Sequence, residues 1–207
     1  MSRGILVVVS GFSGAGKGTV MKCLMEKYDN YALSVSVTTR EPRPGEEEGK
    51  SYFFRSRDEF EKLIEEDALL EHARYVENYY GTPRSYVEQQ LNAGKDVILE
   101  IEIQGATKIK EKVPEALLVF VTPPSVEILK ERLTGRGTET EEVIQNRLSR
   151  ASEESEGMEN YDYILVNDDL GECVDTLHQI IRSEHFRTMR NMEFVNEIRK
   201  QALVLKK

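Results

Sequence analysis

The sequence predicts an α/β fold in three layers, a parallel sheet with helices on both faces. Three observations point there. Ile5 to Val9 is an unbroken apolar run, the pattern of a strand buried on both sides. A glycine-rich turn follows it at once, and a helical stripe of apolar residues follows the turn. Further along, strand-like runs at 97–103, 117–121 and 163–166 alternate with stretches of helical periodicity.

The first turn reads Gly11-Phe12-Ser13-Gly14-Ala15-Gly16-Lys17-Gly18-Thr19. Strand, glycine-rich turn and helix together make a phosphate-binding loop, or P-loop. The glycines let backbone N–H groups crowd around an anion, and the helix start adds the positive end of its dipole. Lys17 supplies a full positive charge. Gly18 stands where the motif ordinarily has the serine or threonine that reaches magnesium, and Thr19 follows it.

Val20, Met21, Leu24, Met25 and Tyr28 form the helical stripe behind the loop. Pro42, Pro44 and Gly45 break regular structure. Ser56 with Glu59 reads as a capping box before Phe60, Leu63 and Ile64; Ser85 with Glu88 repeats it before Leu91, and Gly94 marks the exit. Leu99, Ile101 and Ile103 alternate with Glu100 and Glu102, which predicts a strand end with both carboxylates on one side. Leu117 to Val121 is a further buried strand, and Ser125 opens a helix carrying Val126, Leu129 and Leu133. After Gly135-Arg136-Gly137, Thr138 with Glu141 begins a helix containing Arg147 and Arg150. Tyr163 to Val166 is the last strand, and Leu170, Val174, Leu177 and Ile181 define a long helix.

Residues 36–86, rich in Tyr, Arg and Glu, fall out of this rhythm and read as an inserted substrate lobe. The expected organisation is a core of residues 1–35 and 87–187, with a small lid at about 135–150, the insertion at 36–86 and a helical tail at 188–207. A tail helix packed on its own domain is the plain expectation, with a dimer contact (a homo-oligomer) and then a membrane-surface helix the alternatives. No internal repeat is present.

The chain has 207 residues, 39% of them hydrophobic, which suits one ordinary core. A net charge of −9 argues against general nucleic-acid binding, so any anionic substrate must meet locally concentrated arginines. Two cysteines, Cys23 and Cys173, give no disulfide framework and suit a reducing compartment. With no signal peptide and no membrane-length apolar run expected, a cytoplasmic protein away from membranes is the default. His72, His178 and His185 show no metal-ligand spacing.

Arg40 and Arg43 stand three apart beside prolines, and guanidinium forks match phosphate oxygens. This segment, SVTTREPRPGE at 36–46, joins GFSGAGKGT at 11–19, EHARYVENYYGTP at 71–83, EIEIQG at 100–105, GRGTET at 135–140 and VNDDL at 166–170. In order and spacing the set resembles the guanylate kinase family, from about Gly4 to about Arg187. The resemblance implies a P-loop three-layer core with an inserted GMP-binding lobe and a lid. It also implies transfer of the γ-phosphoryl group of ATP to GMP, with Mg²⁺ accompanying ATP. Gly11, Ser13, Gly14, Ala15, Gly16, Lys17, Gly18 and Thr19 would bind the ATP phosphates, and Asn167 would lie near adenine. Arg40, Arg43, Tyr52 and Tyr80 would bind the GMP phosphate; Ser36, Glu71 and Thr82 would read guanine. Lys17, Arg136 and Arg147 would serve catalysis, the two arginines from the lid. Glu100 and Glu102 would face the magnesium and guanosine region, where the family often has aspartate.

The residue types suit these roles. Guanine offers N1–H beside its N2 amino group, so one carboxylate accepts from both, and the Ser36 and Thr82 hydroxyls are placed to donate to O6 or N7. A nucleotide phosphate is mostly dianionic at neutral pH, so the acceptor needs no histidine base. Catalysis is positioning plus charge neutralisation. With Gly18 in the loop, magnesium is expected to be held through waters near Thr19 rather than by a direct protein ligand. The rival readings are a kinase of another nucleoside monophosphate and a kinase-like protein-interaction module without turnover. The acidic run Glu46-Glu47-Glu48 reads as a solvated loop, and Tyr79 as a packing residue.

Overall fold

A computed structural model describes residues 3–75, 77–135 and 141–205. Its main sheet has five parallel strands in the order β2-β7-β1-β8-β9: β1 (Leu6–Gly11), β2 (Tyr31–Leu33), β7 (Asp96–Glu100), β8 (Leu117–Thr122) and β9 (Tyr163–Val166). β1 is central, with Val8 level with Leu99 of β7 and Leu118 of β8. Its buried Val7, Val8 and Val9 feed both core layers, as the unbroken apolar run requires. One layer packs α1 (Lys17–Lys27) and α7 (Leu170–Glu184) through Met21, Leu24, Leu177 and Ile181. The other holds α3 (Arg84–Asn92) and α4 (Ile103–Lys112) through Val87, Leu91 and Ile109. In such sheets ligands bind beyond the carboxyl ends of the strands, where β1 delivers the glycine-rich loop.

A second sheet, β4-β3-β6-β5, lies within residues 37–83: β3 (Val37–Thr38), β4 (Phe53–Phe54), β5 (Leu69–Tyr75) and β6 (Asn78–Pro83). Its own small core is Val37, Phe60 and Leu69, with Phe60 supplied by α2 (Arg57–Glu65). Ser56 and Glu59 close the expected capping box on α2, and Tyr79 stacks on Phe60 at 5.3 Å between centroids, a packing residue as expected.

Several local expectations change. α3 starts one residue before Ser85, with Pro83 at its N-cap and no side-chain cap, because proline already fixes the entry angle and lacks an N–H to satisfy. Val97, Ile98 and Leu99 are all buried, so β7 does not alternate, and Ile103 opens α4 instead of extending the strand. Val126, in α5 (Val126–Thr134), points to solvent. α6 (Glu141–Ser155) carries Arg147 and Arg150 as expected, while its expected start at Thr138, like Arg136 and Gly137, lies outside the described residues. Gly135 caps α5 in right-handed geometry. The tail helix α8 (Met192–Val204) forms, yet it buries no residue against its own domain, contrary to the plain expectation.

His178 and His185 are structural. His178 stacks on Tyr28 at 3.7 Å and meets the Tyr31 hydroxyl at 2.7 Å. His185 contacts the buried Asp96 carboxylate at 2.9 Å. The cysteines are free, and no described helix is long and apolar enough to cross a membrane.

Candidate active site

The loop after β1 turns through Gly14 (φ 93°) and Gly16 (φ 88°), left-handed positions that favour glycine. Gly16 is doubly constrained: a Cβ there would stand 2.6 Å from the Asn167 side-chain nitrogen. Asn167 is buried, and its amide donates to the Ala15 carbonyl at 2.8 Å. The Asn167 backbone carbonyl accepts from Arg132 at 2.9 Å. The side chain expected beside adenine is thus engaged in bracing the loop from below. Asn167→Ala is expected to cost about 1–3 kcal/mol, the price of an unpartnered buried carbonyl, and to raise the KM for ATP. A denaturant melt and an ATP titration measure the two effects.

Lys17 curls back over the loop. Its Nζ donates to the Gly11 carbonyl at 2.6 Å and the Phe12 carbonyl at 3.2 Å. Burial pulls its pKa below the ordinary lysine value, while the charges of Glu100, Glu102 and Glu154 oppose that shift. Gly18 and Thr19 face solvent on the first turn of α1, while Ser13 is half-buried. The Ser13 hydroxyl accepts from Arg147 of α6 at 3.1 Å, so the structure brings this arginine to the loop. Arg136 falls outside the described residues.

Glu100 ends β7 and Glu102 caps α4, so both stand at the carboxyl edge of the sheet facing Lys17. Burial pushes the Glu100 pKa up and Lys17 holds it down. A Cβ on Gly18 would lie 4.0 Å from a Glu100 oxygen, so Glu100 brings a hard oxygen to the place where the usual loop hydroxyl is missing. That donor set suits a hydrated magnesium ion.

Glu154 was not visible as a site residue in the sequence. It lies on α6 with one carboxylate oxygen buried and unpartnered. Burial raises its pKa, Glu102 adds to the rise, and Lys17 and Arg150 oppose it. Behind it the Tyr161 hydroxyl is also buried without a hydrogen-bond partner, its pKa pushed up to about 12 by burial. The signal was the spacing of Arg147, Arg150 and Glu154, three and four apart on one helix face, inside a stretch whose many glutamates hid it.

In the second sheet, Arg40 lies over the Tyr52 ring, 5.4 Å from its centroid, and the Tyr52 and Tyr80 rings are 6.0 Å apart. The acidic run is more than a solvated loop. Glu46 takes Arg40 in a fork at 2.8 and 3.0 Å and also accepts from the Arg43 backbone N–H. Glu48 accepts from the Phe54 N–H and from Arg55. Opposite charges packed against a short strand explain the order. Because Glu46 presets Arg40, Glu46→Gln is expected to raise the KM for GMP up to about fivefold with kcat retained, the size of a partly exposed ion pair. Steady-state kinetics at saturating ATP measures it.

Glu71 sits at an irregularity in the β5–β6 pairing and is buried. The Thr82 hydroxyl, wholly buried, donates to Glu71 Oε1 at 2.7 Å. The hydroxyl proton expected to reach guanine is therefore committed to Glu71, and Thr82 positions that carboxylate. Burial pushes the Glu71 pKa up, which the Thr82 bond partly offsets. Its second oxygen faces Gly105 of α4, where a Cβ would come within 3.1 Å and crowd the carboxylate. Sequence reasoning missed Gly105 as well. Ser36 is half-buried at the start of β3, and its carbonyl accepts from the Phe53 N–H.

A parallel sheet with a glycine-rich loop at one end of its central strand, facing an arginine–tyrosine cluster and a buried carboxylate on a separate sheet, defines a P-loop phosphotransferase with two substrate sites. The chain matches the Guanylate kinase family model over residues 3–184. It is 53% identical over 191 residues to a guanylate kinase of Lactococcus lactis subsp. lactis, covering 92% of this chain and 93% of the relative. It is 48% identical over 201 residues to one from Caldanaerobacter subterraneus subsp. tengcongensis, covering 97% and 98%. The crystal structure of guanylate kinase from Anaplasma phagocytophilum superposes with a TM-score of 0.74 at 37% identity, covering 92% of this chain and 90% of that one. The chain belongs to the guanylate kinase family and is a nucleoside monophosphate kinase.

Proposed function

We propose that this chain transfers the γ-phosphoryl group of ATP to GMP by a division of labour between its two sheets. The observation that carries the acceptor assignment is the buried Glu71, held by Thr82 and faced by Gly105. A carboxylate so placed suits the N1–H and N2 donors of guanine, which adenine cannot supply. Ser36, half-buried just before β3, would donate to the acceptor face of the base. Arg40, Arg43, Tyr52 and Tyr80 take the GMP phosphate, with Arg40 preset by Glu46.

The loop amides from Gly11 to Thr19 and Lys17 hold the ATP phosphates, and Asn167 fixes the loop's shape from beneath. Magnesium, when bound with ATP, supplies further charge neutralisation. Glu100 and Glu102 would hold its waters, since Gly18 offers no hydroxyl. The GMP phosphate oxygen attacks the γ-phosphorus in line, the bond to the β–γ bridging oxygen breaks, and ADP and GDP form. Lys17 and Arg147 offset the negative charge of the transferring group, with Arg136 their expected companion from the lid. Glu100, Glu102 and Glu154 together oppose the effect of burial on the Lys17 charge. Residues 36–86 form the acceptor lobe and the segment near 135–150 the lid. The free cysteines suit a reducing cytoplasm.

The deciding experiment is ADP release in a coupled assay with a panel of nucleoside monophosphates. GMP should be preferred by far, and the rate should require Mg²⁺. A preference for AMP or dTMP would overturn the acceptor assignment, and binding of GMP without turnover would favour the interaction-module alternative.

A further inference from the structure

One face of α4 meets β5 where Glu71 stands. Gly105, Lys108 and Lys112 are three and four apart, so they share that face. Gly105 abuts the Glu71 carboxylate. The Lys108 Nζ donates to the His72 carbonyl at 2.8 Å, one residue beyond Glu71. Lys112 reaches the Asp67 carboxylate at 3.8 Å.

The grip of Lys108 falls on an irregular piece of strand. β5 pairs with β6 at Leu69–Pro83 and resumes at His72–Gly81, so Leu70 and Glu71 together oppose Thr82. Two residues against one make a β-bulge, which re-aims side chains and disrupts the ladder locally. Regular pairing resumes at His72, so a bond to its carbonyl fixes that end of the bulge and with it the direction of Glu71.

Lys108 also brings charge. Burial is the largest influence on Glu71 and raises its pKa. The Thr82 hydroxyl of β6 opposes the rise, and so do Lys108 and then Lys112 of α4. Lys112 is already paired with Asp67, whereas Lys108 forms no ion pair among the described residues. On the same strand as Glu71, burial and these two lysines hold the His72 pKa down, so that imidazole is uncharged at neutral pH.

We propose that Lys108 is a positioning residue of the acceptor site, which fixes the Glu71 bulge through His72 and keeps a cation beside the carboxylate that reads guanine. It acts through Glu71, and the proposal rests on the reading of Glu71 as the guanine acceptor.

Steady-state kinetics against GMP across the acid limb tests this. Lys108→Met should raise the KM for GMP about two- to fivefold, the size of one partly exposed charge, with a smaller change in kcat. It should also move the acid limb of kcat/KM to higher pH, because the ionised Glu71 accepts from guanine and protonates at higher pH without the lysine. Lys108→Arg keeps both donor and charge and should restore both readouts. The KM for ATP should hold in both variants, which shows that they have folded. In a Glu71→Gln background, Lys108→Met should no longer move the limb. A shift that persists there would belong to His72 and overturn the proposal. A Lys108→Met enzyme with the wild-type limb overturns it too, as does a Lys108→Arg enzyme that behaves like Lys108→Met. If Glu71→Gln alone leaves GMP kinetics unchanged, the reading of Glu71 itself fails. If Glu71→Gln has its effect and Lys108→Met has none, only the role of Lys108 fails.

Discussion

Lys17→Ala is expected to lower kcat by about 10³-fold or more, the scale of losing one cation from a phosphoryl-transfer site. The KM for GMP should stay within about threefold, because the acceptor contacts sit on the second sheet. The structure explains why so much rests on one ammonium. Its Nζ is drawn back onto the Gly11 and Phe12 carbonyls, so it sits inside the curve of the loop rather than free in solvent. Burial there lowers the lysine pKa, and the charges of Glu100, Glu102 and Glu154 oppose that shift. The cation is thereby oriented before ATP arrives, and preorganised charge is what accelerates a reaction in which two anions must approach. Alanine removes the cation and leaves three carboxylates facing the γ-phosphate, so repulsion adds to the loss. Single-turnover kinetics with ATP and GMP both saturating measures this. A kcat within tenfold of wild type would show that the arginines alone carry the neutralisation.

The fold was legible wherever a single local rule decided the outcome. The apolar run at Ile5–Val9 could only be a strand buried on both faces, and it is the central one. Ser56 and Glu59 close the box their spacing predicts. Where two rules competed, sequence reasoning went astray. Leu99, Ile101 and Ile103 alternate with acids, yet the chain leaves the sheet after Glu100 and Glu102 caps a helix, because both faces of β7 are covered and alternation carries no information there. Ile103 packs against the core from α4 instead. The tail showed the converse failure. Its helical period was correct, but periodicity says that an apolar face exists, not what lies against it.

The site residues divide in a similar way. Motif order placed Lys17, Arg40 and Glu71 in the chain, but their partners came from tertiary contacts that no local pattern encodes. Glu46 grips Arg40 across a turn, Asn167 braces Ala15 from a distant strand end, and Gly105 admits a helix to Glu71. Thr82 is the instructive case. As a free hydroxyl it looks like a donor to the base; once buried 2.7 Å from a carboxylate it has one proton to give, and it gives it to Glu71.

That bond sharpens what Glu71→Gln should do. The amide keeps an oxygen for Thr82, so the local fold should survive and the effect should fall on guanine. It loses the negative charge, and its NH₂ group now opposes the N1–H and N2 donors. A charge-assisted hydrogen bond is worth about 1.5–3 kcal/mol, so kcat/KM for GMP should drop by roughly 10- to 150-fold. Inosine monophosphate lacks the N2 amino group and should lose less, so the ratio of GMP to IMP should shrink. ATP parameters should hold. The pH dependence separates this role from a structural one. Burial raises the Glu71 pKa, and the ionised form is the one that accepts from guanine, so affinity is present above that raised pKa and is lost as pH falls through it. The GMP phosphate, with a second pKa of about 6, titrates in the same direction in both proteins. The acid limb of kcat/KM should therefore be steeper in the wild type than in Glu71→Gln, where every other group still titrates but position 71 no longer does. Identical limbs, or an unchanged GMP to IMP ratio, would remove Glu71 from the base-reading site and leave its buried bond with Thr82 as packing alone.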